Sequence, residues 1–250
     1  MFLKLPIEII NTILLYVNKS ERIFIAIAEC DKSYLKSKKN RLLSISHIIS
    51  KDLIIWSELN RCPKAYCVIY QIVKNCNVDE LSVAHNLEYP ISSDSIRESI
   101  RSDKKECLSY LLKHYDNVND LYYLGIYTIH RNNLECVKIL HSFNYKFSIY
   151  CFRLAAELGY LHILTYLFQI GYKDNSVWAC TMAAKGGHLN CLKFLHENKC
   201  RWSKNTAKAA SNYGHLDCLI YLHEHNCPID RISCINATVN VDCLNYLLSI

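Results

Sequence analysis

Four side chains able to bind a metal crowd a ten-residue span near the end of the sequence: Cys218, His223, His225 and Cys227. Thiolates and imidazoles of this kind are the ligands of tetrahedral zinc sites. The stretch just before it is a built-in control. There Cys191, His196 and Cys200 recur, but Asn198 stands where His225 would. Earlier still, Tyr145 and Tyr172 take the position of Cys200 and Cys227, and Ile163 takes that of Cys191 and Cys218. A position that exchanges Cys for Tyr or Ile behaves as an apolar packing site, so the pattern predicts core thiols rather than a metal centre. His223-Glu224-His225 lacks the His-Glu-x-x-His spacing of a metalloprotease helix. His188 and His215 each follow a Gly, where an imidazole bonding local backbone is expected. The sequence holds no phosphate-cradling Gly-rich loop, nucleophile elbow or paired carboxylates, and the expectation is a chain with no catalysis, metal or cofactor.

The elements that position these residues are copies of one phrase. Ala183-Ala184-Lys185-Gly186-Gly187-His188-Leu189-Asn190-Cys191-Leu192 is echoed by Ala210-Ser211-Asn212-Tyr213-Gly214-His215-Leu216-Asp217-Cys218-Leu219. Followed both ways, the marker position falls at residues 107, 136, 163, 191, 218 and 243, with spacings of 29, 27, 28, 27 and 25. Self-similarity at a fixed short period marks a repeat architecture. Each unit reads as two short helices. The first ends at a small pair (Ala155-Ala156, Ala183-Ala184, Ala210-Ser211), and Gly159, Gly187 or Gly214 follows as a left-handed stop. Asn190 and Asp217 suit the first turn of the second helix. That helix then places apolar residues three and four apart, as at Cys218, Leu219, Tyr221 and Leu222. One unit cannot bury its apolar face alone. The fold class predicted is therefore all-α, an α-solenoid of stacked helix-turn-helix units over residues 92–250 behind an N-terminal helical module.

A small pair, then Gly-His-Leu, then an apolar helix ending in Leu resembles the ankyrin repeat. The short period, the Leu-His-Glu ending and Cys227-Pro228 resemble the divergent ankyrin repeats encoded by giant DNA viruses of amoebae. These units are shorter than the ~33 residues of an ordinary ankyrin repeat and lack its Thr-Pro-Leu-His opening. The missing residues would come from the hairpin between units. The last unit, from Cys234 to Ile250, is two residues shorter than its neighbour and finishes on Leu247-Leu248-Ser249-Ile250 without a polar cap. Its apolar end is expected to be tolerated, covered by a partner, or truncated.

Residues 1–46 do not follow the period. Leu5-Pro6-Ile7-Glu8-Ile9 puts Pro in the first turn of a helix continued by Ile13, Leu14 and Val17. With the following apolar helix, Cys30 and Tyr34, this order resembles an F-box, the three-helix module that docks on the Skp-type linker subunit of cullin–RING ubiquitin ligases. The resemblance implies that Leu5, Pro6, Ile9, Ile13 and Leu14 bind that subunit. The other reading of the same residues is a helical cap over the first repeat. Residues 47–91 read as a degenerate helical linker or decayed repeats, with a helix about Ile48–Leu59, another over Ala65–Val73, and a loop from Asn86 to Ser93.

Composition agrees with a binding protein. About half of the 250 residues are hydrophobic, with only six Gly and four Pro, which gives material for a core. The fourteen Cys recur at helix-core positions and no secretory start precedes them, so reduced thiols in a cytoplasmic compartment are expected, a host cytoplasm if the chain is viral. No apolar run approaches the ~18–20 residues that span a membrane. The net charge is +6, but nearly all of the excess lies in residues 1–64, and the rest of the chain almost balances. Lys36, Lys38, Lys39 and Arg41 read as a solvated loop, and no nucleic-acid partner is expected.

Binding is the default use of an extended repeat surface. Residues that vary between copies on the first helices and turns are the expected target contacts: Arg153, Trp178, Lys185, Trp202, Lys204, Lys208 and Tyr213. Packing between adjacent units is the other expectation for Trp178 and Trp202. The function predicted is recognition of a protein target, either as a ubiquitin-ligase substrate receptor or as a scaffold or antagonist that recruits no ligase.

Overall fold

The computed structural model describes residues 67–75, 78–116 and 118–250. The F-box-like segment with Leu5, Pro6, Ile9, Ile13 and Leu14 lies outside the described residues, as does the helix expected over Ile48–Leu59. Among the described residues all regular structure is helical, with no strand. No helix there is long and apolar enough to cross a membrane. The chain divides into two compact units, the second beginning at Asn119.

In the first unit, α1 (Cys67–Asn75), α2 (Val78–Asn86), α3 (Ser93–Arg101) and α4 (Lys105–Lys113) form two pairs. Within each pair the helices pack together, and α1 lies on α3 and α2 on α4. Ile72, Val73, Leu81, Ile96, Ile100 and Leu108 fill the core. Ser92 caps α3 in a reciprocal capping box with Ser95. Glu98 is buried yet compensated, accepting from Arg101 Nε at 2.8 Å and Ser102 Oγ at 2.7 Å. Burial raises the Glu98 pKa, but these donors outweigh it and hold the carboxyl below its ordinary value.

The second unit holds five pairs: α5 (Leu124–His130) with α6 (Leu134–Ser142), α7 (Ile149–Glu157) with α8 (Leu161–Gln169), α9 (Trp178–Gly186) with α10 (Leu189–Glu197), α11 (Lys204–Asn212) with α12 (Leu216–Glu224), and α13 (Arg231–Ala237) with α14 (Val241–Ser249). The odd-numbered first helices pack on one another in series, and so do the even-numbered second helices. Cys136, Ile163, Cys191, Cys218 and Cys243, the marker positions of the sequence period, are all buried. Each pair contributes the same short list of apolar groups, such as Leu192 and Leu195 or Leu219 and Leu222. Full burial of such a side chain is worth about 1.5–3 kcal/mol.

Each turn from the end of α5 to the start of α13 uses a left-handed residue. Asn132, Gly159, Gly187 and Gly214 follow the first helices, and Asn144, Gly171, Lys199 and Asn226 follow the second. The turn backbone satisfies itself: His188 N–H donates to Ala183 O at 3.0 Å and His215 N–H to Ala210 O at 2.8 Å, the Schellman pattern. Asn can take this conformation, so positive φ alone does not demand Gly. The glycines have a second reason. A Cβ on Gly159 would overlap the His188 ring, and one on Gly187 would overlap the His215 ring. Each imidazole lies on the glycine of the preceding pair.

This corrects the expectation that the His215 side chain bonds local backbone. His215 Nε2–H donates at 3.0 Å to the carbonyl of Lys185, in the previous helix pair. The turn's own N–H groups already have carbonyl partners, which leaves the ring available to reach back.

A second tie runs along the other helices. His141 and Tyr166, His196 and Tyr221, and His223 and Tyr246 each share a hydrogen bond between Nδ1 and Oη, at 2.9, 2.9 and 2.7 Å. The histidine is the eighth residue of one second helix and the tyrosine the sixth residue of the next. Between α8 and α10 both partners change together. Phe168 and Phe194 occupy these positions and meet edge to face, with ring centroids 5.6 Å apart. Burial and the neighbouring His225 press the His196 pKa below its ordinary value. The C-terminal turn of α14 is capped by Arg231, whose Nε donates to Leu247 O at 2.6 Å and Nη2 to Leu248 O at 2.9 Å.

Gly187→Ala is expected to destabilise the chain by roughly 2 kcal/mol or more, combining left-handed strain with the overlap on His215. His215→Ala should cost less on that background than on the wild type, with a coupling of about 1 kcal/mol in a urea-unfolding double-mutant cycle. Strict additivity would show that the ring and the glycine are independent.

Candidate functional site

The cysteines and histidines that crowd residues 218–227 in sequence are engaged separately in the fold. Cys218 is in the core, His223 bonds Tyr246, and His225 Nδ1–H donates to the Tyr221 carbonyl at 2.8 Å. Burial pushes the thiols of Cys218 and Cys227 up to about 12, which leaves both protonated and poorly nucleophilic. Among the described residues no three His, Cys, Asp or Glu side chains are placed to hold a metal ion.

A concave feature of the second unit lies across its first helices. A cleft of about 530 Å³ is floored by Ile126 of α5, Leu154 of α7 and Met182 of α9. Tyr150 and Trp178 form its edge, and His130, Arg153 and Glu157 supply its polar groups. Tyr150 is 63% exposed and Trp178 50% exposed, large values for aromatic side chains. The two occupy equivalent places in successive units. The same register falls at Tyr123 in the unit before Tyr150, and at Asn205 and Asp230 in the two units after Trp178. Tyr123 is 63% exposed. Three successive units of the five thus present a large aromatic ring to solvent at one position.

The charges are segregated by helix layer. First helices α7, α9, α11 and α13 carry Arg153, Lys185, Lys204, Lys208 and Arg231 against the single carboxylate Glu157. Second helices α6, α8, α10, α12 and α14 carry Lys138 and Lys193 against Glu135, Glu197, Asp217, Glu224 and Asp242. A near-neutral total in the sequence conceals a basic layer and an acidic one.

The expected target contacts sort into three kinds. Arg153 reaches the cleft, but its guanidinium also closes the loop before α9. Nε donates to Asp174 Oδ2 at 2.7 Å and Nη2 to Ser176 Oγ at 3.3 Å. Asp174 is buried, and although burial opposes its charge, the Arg153 and Ser176 donors hold its carboxyl below the ordinary range. Lys185 pairs with Glu157 at 2.7 Å and lies over the Tyr213 ring, 5.7 Å from its centroid. Trp178, Lys204, Lys208 and Tyr213 are exposed on this layer. Trp202 is apart from them, stacked on His196 of the second-helix layer with centroids 4.0 Å apart. Sequence reasoning missed Tyr123, Tyr150, Ile126, Leu154 and Met182. Aligning units on the marker position would have found Tyr123 and Tyr150, since each falls at the register of Trp178.

Compared with known proteins, the chain matches no family model and no curated protein sequence.

Arg153→Ala is expected to lower stability by roughly 3 kcal/mol, because it leaves Asp174 charged and buried without its partner. Trp178→Ala should change it by no more than about 0.5 kcal/mol, as a surface substitution does. Thermal unfolding of the two variants checks this, and a large loss for Trp178→Ala would mean that the indole serves packing instead of solvent-facing recognition.

Proposed function

We propose that the chain is a non-catalytic protein-recognition module built from short ankyrin-like repeats, whose first-helix layer holds a protein target. The observation that carries this reading is the cleft edged by Tyr150 and Trp178, two exposed aromatic side chains at one register. Exposed rings of this type concentrate binding energy because they bury much area with little rotamer freedom to lose. An apolar floor with a few polar groups at the rim suits a side-chain anchor from a partner. The serial packing of helix pairs supports the ankyrin-like solenoid, since each pair buries its apolar face against the next.

The sharper form of the proposal is a substrate receptor. The F-box-like residues Leu5, Pro6, Ile9, Ile13 and Leu14 would hold a Skp-type ligase subunit while the first-helix layer holds the target. Its support is the N-terminal sequence resemblance.

Affinity capture from a eukaryotic extract with the whole chain tests both arms. Tyr150→Ala/Trp178→Ala should lose the target and keep the Skp-type subunit, and Pro6→Ala/Ile9→Asp should do the reverse. If the wild type retains a target but no Skp-type subunit, the chain is a binding scaffold. If a target remains bound to Tyr150→Ala/Trp178→Ala, recognition lies elsewhere.

A further inference from the structure

We infer that the first-helix layer takes an extended, acidic protein segment with a large apolar side chain at every third residue. The inference rests on the recognition reading above and adds the chemistry and spacing of the partner. Tyr123, Tyr150 and Trp178 are large, exposed and repeated at one register of three successive units, at or beside the start of each first helix. Packed helices lie about 8–10 Å apart. A polyproline-type strand rises about 3.1 Å per residue with three residues per turn, so side chains three apart recur on one face every ~9 Å. The two periods match, and a segment laid across the helices would set one apolar group at each.

Charge decides the remainder of the sequence of such a segment. Lys204 and Lys208 are exposed on α11, where Asn205 ends the apolar row. Their acidic neighbour Asp230 is engaged by Ser233, which donates from N–H at 3.2 Å and from Oγ at 2.8 Å. A carboxylate-rich segment therefore meets cations at α11 and apolar surface at α7 and α9. A nucleic acid fits less well. Arg153 is turned toward Asp174, Lys185 is paired with Glu157, and Arg231 caps α14, so three of the five cations of this layer have partners within the chain. Phosphate binding depends on such cations at every step along the chain, whereas the proposed segment needs them at α11 alone and meets apolar surface elsewhere.

The test uses the whole chain labelled with 5-fluorotryptophan, whose three indoles are Trp56, Trp178 and Trp202. Fluorine NMR is recorded against blocked peptides of Leu-Glu-Glu triplets, of Leu-Ser-Ser and Leu-Lys-Lys triplets, of alternating Leu and Glu, of heptad-spaced Leu among Glu, and against oligothymidylate. The Leu-Glu-Glu peptide should move the Trp178 signal and leave Trp202 in place. Lys204→Glu/Lys208→Glu should weaken it about tenfold, the scale of a lost hot-spot contact. Equal binding of the Leu-Ser-Ser or Leu-Lys-Lys peptide would overturn the acidic assignment while sparing recognition by this face. Tighter binding of the alternating or heptad peptide would overturn the spacing. A Trp178 shift with oligothymidylate alone would overturn both this inference and the protein-recognition reading. If no probe moves Trp178, the partner chemistry inferred here is wrong, and the captured target's dependence on Trp178 decides the parent reading separately.

Discussion

An imidazole laid on a glycine sets how closely the three successive helix pairs α7–α8, α9–α10 and α11–α12 can approach. His188 covers Gly159 and His215 covers Gly187, and no Cβ fits at either glycine. At Gly187 the contact supplies a left-handed turn, a close approach and a hydrogen bond from ring to the preceding backbone. At the next step the ring is exchanged for Asn240, which lies beside Gly214 and also caps α14 by accepting from Cys243 N–H at 3.0 Å. The geometry survives the exchange because a short side chain can still fill the turn and meet a backbone donor.

With that tie and the His–Tyr pairs fixing spacing, the outward positions of the first helices are left with little structural work. Their side chains do not fill the core, and they diverge: Tyr, Trp, Asn and Asp at one register, Glu, Lys and Asn at another. A layer that is apolar and basic beside a layer that is acidic is the consequence. Both layers are polar enough to face water, and only the first combines large exposed rings with a cleft. Function is best sought where the frame imposes least.

Much of the helix frame could be read from sequence because its causes are local. Gly159, Gly187 and Gly214 announced their turns, and the marker cysteines announced a buried helix face, since both depend on residue type at fixed spacing. Asn132 fills the same left-handed place one unit earlier, yet Asn is common in loops and its meaning emerged only with its φ of 53°. The His–Tyr ties were hidden for a different reason. His196 and Tyr221 lie 25 residues apart, a spacing set by how two helices pack and not by either helix alone. The joint change to Phe168 and Phe194 was the available signal, because one contact kept its shape while both residues changed. Of the expected site, Trp178 and Tyr213 proved exposed, whereas the inward turn of Arg153 onto Asp174 depends on a loop whose path no periodicity specifies. The charge layers were invisible to net charge because a sum over both layers cancels them.

The central claim is that the first-helix layer is the surface that meets a partner. Hydrogen–deuterium exchange of the whole chain, alone and with its captured target, tests this directly. The expected result is slowed exchange in α7, α9 and α11, centred on Tyr150 and Trp178, with α8, α10 and α12 unchanged. Protection confined to the second helices around His196, Tyr221 and Tyr246 would contradict the claim and assign recognition to the acidic layer.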